Sequence, residues 1–182
     1  LAGGFFASGE ESDPPIRIGL PIVDVASGMC GAVGVLAAIM HWRQTGHGQR
    51  VELSLIDTMF NFMASKVGEF FIEGRAPVRE VNLPIAVPSR HFQGSDGDYF
   101  SVSIVNESAF RRFCQIIDRP QWIEDWRFAK NSARIENRHE LLQLLEEIFA
   151  TQPAADWVKR FEAVDIPCGP VNTVPQAMAD PV

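Results

Sequence analysis

The chain has 182 residues, 46% of them hydrophobic and 10% aromatic. This composition excludes a disordered polypeptide and suits one globular domain or two small ones. Sixteen basic against twenty-three acidic residues give a formal net charge of −7; with no basic stripe, the electrostatics of phosphate binding are missing, and no nucleic-acid partner is expected. The longest apolar stretch, Ala32 to Met40, is too short to span a bilayer, so no membrane partner is expected either.

In chain order, LAGGFF at the start lacks the basic-then-apolar order of a signal peptide and reads as the interior of a longer protein. Residues 9–18, GEESDPPIRI, read as an exposed loop. Residues 19–24 then form a short apolar run that predicts a strand, delivering Asp24 to a turn. From about Ser27, and over 28–44, small and apolar residues occupy nearly every side, the pattern of a buried helix. Its glycines cost helix stability and point to close approach of another backbone. Gly46-His47-Gly48 ends this helix. Between 49 and 55, Val51, Leu53 and Leu55 alternate with Arg50, Glu52 and Ser54, predicting a second strand, and a helix follows from about Ile56. Strand, buried helix, glycine turn, strand, helix is the grammar of a doubly wound α/β layer.

The stretch 74–89 holds three prolines and reads as a linker. A hairpin is expected next, with His91 and Phe92 ending one strand, a turn over 94–98, and a second strand over 99–105. Asn106 or Ser108 can cap a following helix. An aromatic loop carries Trp122, Trp126 and Phe128; a longer helix covers 132–150; Thr151 is expected to cap another, with Pro153 in its first turn; Thr173 and Pro175 open a last short one.

Asp24 is the residue with the most chemical promise. A carboxylate at a helix N-terminus sits in a positive field and near free backbone N–H groups. An ionised, partly desolvated carboxylate there can attack an activated acyl group. Taken alone, helix capping is the commoner role of an aspartate in this position. A paired-carboxylate hydrolase would need Asp24 and Asp57 to converge across a cleft; Asp57, at the start of a helix after Ser54, is explained by capping or a salt bridge. Glu146 and Glu147 read as solvated charge on a helix face. No G-x-S-x-G elbow is present. His41, His47, His91 and His139 lack metal-ligand spacing, so no metal is assigned. Cys30, Cys114 and Cys168 are odd in number and far apart, which predicts reduced thiols in a cytoplasmic protein. Cys168 has no basic neighbour to activate it and reads as a small hydrophobe.

Four segments in order, PIVDVASG, GVLAAIMHWRQTGHGQRVELSLIDTMF, NRHELLQLLEEIF and IPCGPVNTVPQAMADP, resemble the class III coenzyme A transferases, the CaiB/BaiF family. The resemblance implies a Rossmann-like large domain, a small α/β domain, and a homodimer of interlocked subunits. It implies domain bounds of 1–73 for part of the large domain, 74–89 for the linker, 90–178 for the small domain and 179–182 for the start of a return segment. It also implies that Asp24 is the catalytic nucleophile of a CoA transfer from an acyl-CoA donor to a small carboxylic acid, through an aspartyl anhydride and an aspartyl-CoA thioester. Coenzyme A is then a substrate, with no cofactor bound permanently. Members of the family are about twice this length, a size expected of two domains. The missing N-terminal half would supply most CoA contacts, so this piece alone is expected to be inactive and to leave a large apolar patch on the helix at 28–44. The glycine-rich loop of the formyl-CoA transferases has no counterpart in NLPIAVPSRHF. Two alternatives stay open: an α-methylacyl-CoA racemase of the same family, in which the matching aspartate is an acid/base, and a non-catalytic scaffold that keeps the fold.

Overall fold

The computed structural model describes residues 13–76 and 86–180. The chain divides into two compact units, Leu1–Val81 and Asn82–Val182. The fold is a mixture of helices with a small antiparallel sheet.

The described part of the first unit consists of helices α1 (Ile22–Thr45), α2 (Leu55–Phe62) and α3 (Ala64–Glu73). The two strands expected here are absent among the described residues. Strand 19–24 gives way to helix: α1 begins at Ile22 and takes Val23, Asp24 and Val25 into its first turns. Residues 49–54 form no strand and join no ladder. A strand exists only where a neighbour supplies hydrogen-bond partners, and this unit offers none among the described residues. The alternation in 49–55 serves a different contact. A Cβ on Gly34 would stand 2.8 Å from Val51 Cγ1, and one on Gly31 would stand 3.8 Å from Leu53 Cδ2. Gly34 therefore makes room for the Val51 side chain, whereas a Cβ at Gly31 would stand in ordinary contact distance.

Gly46 terminates α1 in the left-handed conformation (φ 75°), its N–H donating to the Trp42 carbonyl at 2.7 Å. The single helix expected after Ile56 is broken at Met63, which ends α2 and precedes α3. At 24 residues, α1 is long and apolar enough to cross a membrane, which the stretch Ala32–Met40 by itself is not; a core helix of a water-soluble protein meets the same criterion. Only Ala26 and Ser27 of α1 are buried, and Met29, Val33, Leu36 and Met40 are each more than 60% exposed. The apolar patch expected on this helix is therefore present.

The second unit is built on a three-stranded antiparallel sheet of order β1-β2-β3, with β1 at Ser89–Gln93, β2 at Tyr99–Ser103 and β3 at Cys168–Pro170. The hairpin has the expected place, with Phe92 opposite Phe100 and Gly97 at φ 85° in its turn. β3 lies in a segment where the sequence pattern marks no strand; it pairs Cys168 with Val102. Helices α4 (Glu107–Ile116), α5 (Asn131–Glu136), α6 (Arg138–Phe149), α7 (Ala154–Glu162) and α8 (Val174–Ala179) complete the unit, with a 3-10 turn at Pro120–Ile123. Asn106 caps α4, its Oδ1 accepting from the Ala109 N–H at 2.8 Å.

The core of this unit is aromatic. Phe149 touches the rings of Phe92, Phe100, Phe113, Trp157 and Phe161, with centroids 4.7 to 6.3 Å away. Trp122 and Phe128 are buried in the same cluster, whereas Trp126 is 78% exposed. The long helix expected over 132–150 is two helices, separated at Asn137. Thr151 does not cap α7. Its hydroxyl donates to the Ile148 carbonyl at 2.6 Å and closes α6. The α7 N-terminus is served from the hairpin turn, where Asp96 accepts the Ala154 N–H at 3.2 Å. That docking requires Gly94, because a Cβ there would lie 2.4 Å from the Ala154 nitrogen. Thr173 and Gln176 form the capping box of α8.

The linker expected at 74–89 falls largely outside the described residues. Its described end is built into the second unit: Val87 is buried, its N–H donating to Asn131 Oδ1 at 3.0 Å and its carbonyl accepting from Arg134 Nε at 2.7 Å.

Candidate active site at the start of α1

Asp24 is the acidic residue of the first turn of α1 and is exposed. Pro21 precedes the helix and provides no side-chain cap. The first intrahelical bond runs from the Val25 N–H to the Pro21 carbonyl at 3.1 Å, so the N–H groups of Ile22, Val23 and Asp24 have no partner within the helix. The carboxylate therefore stands inside the positive end of a 24-residue helix, not on a strand-to-helix turn as the sequence pattern suggested. Its oxygens take no hydrogen bond or ion pair from the described residues. This leaves a carboxylate unencumbered by a cap or a cation, as a nucleophile requires.

Asp57 makes the opposite case. Its N–H donates to Ser54 Oγ at 3.0 Å, and Ser54 Oγ donates back to its Oδ2 at 2.6 Å. Asp57 is therefore engaged in closing the N-terminus of α2, as the capping alternative expected.

One residue near Asp24 was missed in the sequence. Ser27 is 7% exposed, and its hydroxyl has no hydrogen-bond partner among the described residues. Nothing in a run of small residues separates such a serine from a packing residue. The other buried hydroxyl of this unit, Thr58, is satisfied by the Ser54 carbonyl at 3.1 Å.

The four histidines lie on separate elements: His41 in α1, His47 in the turn after it, His91 in β1 and His139 in α6. Burial pushes the Cys114 thiol up to about 12. Cys168 is also raised, first by burial and then by the Glu162 carboxylate. Neither is poised as a thiolate.

The described residues of the second unit hold one buried cation. Arg134 is 1% exposed and donates to the Val87 and Phe128 carbonyls and to Glu107 Oε2 at 2.9 Å, with its guanidinium 4.0 Å from the Phe110 ring centroid. Burial pulls the Glu107 carboxyl upward, but the hydrogen bonds from Arg134 and the Asn131 N–H, with the guanidinium charge, hold it below its ordinary 4.5. These groups are joined to each other and to backbone, which makes the pair a structural tie between α4, α5 and the segment before β1.

The family model of CoA-transferase family III matches residues 1–182. The succinate–glutarate CoA-transferase of Agrobacterium fabrum is 27% identical over 182 residues, covering all of this chain and 45% of that protein. The acetyl-CoA:oxalate CoA-transferase of Acetobacter aceti is 29% identical over 179 residues, covering 97% of this chain and 46% of that protein. The crystal structure of a CAIB/BAIF family protein from Brucella suis superposes with a TM-score of 0.82 at 30% identity, covering 99% of this chain and 48% of that one. The chain thus spans a little under half the length of the relatives it matches.

Proposed function

The chain belongs to CoA-transferase family III, and from that premise we propose that the whole protein transfers coenzyme A from an acyl-CoA to a small carboxylic acid, with Asp24 as the nucleophile. The observation that carries this reading is the unpartnered Asp24 carboxylate in the first turn of α1. One carboxylate oxygen attacks the thioester carbonyl; the C–S bond breaks, the CoA thiolate leaves, and a mixed anhydride forms. The thiolate attacks the aspartyl carbonyl carbon, releasing the donor acid and leaving an aspartyl-CoA thioester. The acceptor carboxylate attacks that thioester and expels the thiolate, forming a second anhydride. Attack of the thiolate on the new acyl carbonyl frees Asp24 and yields the product acyl-CoA. The helix N-terminus favours the anionic carboxylate before the reaction and after it.

Relatives named for succinate, glutarate and oxalate support a small carboxylic acid as acceptor. In this reading residues 1–73 belong to a Rossmann-like large domain completed by chain outside these 182 residues, and 90–178 form the small domain. The exposed apolar surface of α1 supports it, since a helix this apolar needs partners that this unit lacks. The protein works as an interlocked homodimer in the cytoplasm, with α1 as a core helix and not a membrane span, and the 182 residues alone neither bind CoA tightly nor turn over.

The test is made on the full-length protein. Asp24→Asn preserves the shape and removes the nucleophile, so transfer is expected to fall by about 10³-fold or more. Hydroxylamine trapping during turnover, followed by peptide mass spectrometry, is expected to label the peptide that carries Asp24. Exchange of the substrate α-proton with solvent, without any adduct, would instead mean a racemase.

A further inference from the structure

The orphaned hydroxyl of Ser27 lies one helical turn beyond the unpartnered carboxylate of Asp24. A serine inside a helix ordinarily satisfies itself by donating to the carbonyl three or four residues back. Here those carbonyls belong to Asp24 and Val23, and Ser27 bonds to neither. A buried hydroxyl left unpaired costs about 1–3 kcal/mol, a cost that a core position filled by alanine would not carry. Residues three apart share a helix face, and the Cα–Cβ bonds of a helix tilt toward its N-terminus. The Ser27 hydroxyl is thereby carried over the turn that contains Asp24. A donor without an acceptor and an acceptor without a donor thus lie three residues apart on one helix.

We propose that Ser27 is a positioning residue for Asp24, its Oγ–H donating to one carboxyl oxygen of the aspartate during transfer. The inference rests on the reading of Asp24 as nucleophile. Held in this way, one oxygen is occupied and the other is free to attack, which fixes the direction of approach. When a thiolate or carboxylate later adds to the aspartyl carbonyl carbon, negative charge develops on the carbonyl oxygen, where the same hydroxyl can remain as donor. The bond matters most in the transition states, so its loss lowers kcat and leaves acyl-CoA binding alone.

In the full-length enzyme, Ser27→Ala is expected to lower kcat by roughly 100- to 1000-fold, the range for removal of one such donor, with the KM for acyl-CoA unchanged. Its thermal midpoint should hold or rise, because an unsatisfied buried hydroxyl has been removed. Ser27→Thr keeps the donor and should recover most of the lost kcat. An alanine variant with unchanged kcat overturns the proposal, as does one whose kcat and KM deteriorate together without recovery in the threonine variant. Asp24→Asn separates the two readings. Full transfer in that variant removes the premise, whereas a dead Asp24→Asn beside an unaffected Ser27→Ala removes only the role of Ser27.

Discussion

Residues 86–180 bury Phe100, Phe113, Phe149 and Phe161 completely, while residues 13–76 leave Met29, Val33, Leu36 and Met40 mostly in water. Both regions are rich in apolar side chains. The difference lies in the supply of partners. The second unit has a sheet with helices packed against it, so an apolar residue on one element meets another within the same hundred residues or so. The first has a long helix that is apolar all round and, among the described residues, two short helices to pack on it. Hydrophobic stabilisation is realised only when such surfaces are paired. Composition alone therefore does not make a stable unit; the closure of the core does.

The comparison breaks most visibly at Phe149. Phe149→Ala removes the ring around which the aromatic core is arranged, and is expected to destabilise the second unit by about 3–5 kcal/mol in denaturant unfolding. A loss below 1 kcal/mol would mean that the core closes without it. Arg134→Met comes next, at roughly 3 kcal/mol, because the Val87 and Phe128 carbonyls and Glu107 lose their donor together. This pair also predicts an acid dependence. The folded Glu107 titrates below its ordinary 4.5, so its contribution is complete above that pH and is lost as the pH falls through the folded value. Unfolding of wild type against Arg134→Met between pH 6 and 3 should narrow the gap on the acid side; a constant gap would argue against the pair. The smallest effect belongs to the first unit. Leu36→Ala should change the stability of the 182-residue chain by less than about 0.5 kcal/mol, since Leu36 is 62% exposed. In the full-length protein the same substitution should cost about 2–5 kcal/mol. An equally small cost in both would show that nothing covers α1.

The hairpin, Asn106 as one of two candidate caps, and the start of the last helix at Thr173 and Pro175 were legible because each depends on chemistry within a few residues of itself. Asp24 was legible as a carboxylate at the start of a helix, and its role as nucleophile is what the resemblance of the four motifs implies. Its setting was not. Ile22 and Val23 suit a strand as well as a helical first turn, and no local signal chooses between them. Ser27 was hidden for a different reason: an unsatisfied hydroxyl is defined by what surrounds it, and an isolated stretch of small residues has no surroundings.

By itself, then, the sequence determined the family, through four motifs in order, and the apolar helix behind Asp24 and the starts of α4 and α8, which follow from local periodicity and short-range hydrogen bonding. Only the tertiary structure decided that 19–24 and 49–54 are not strands, that β3 joins the sheet, that Asp96 caps α7 from the hairpin turn, and that Arg134 is the buried cation of the second unit. Each of these depends on a partner distant in sequence. A backbone amide, an aspartate or a guanidinium acquires its role from the group that answers it, and in this chain those groups lie up to 72 residues away, as between the Val171 N–H and the Tyr99 carbonyl.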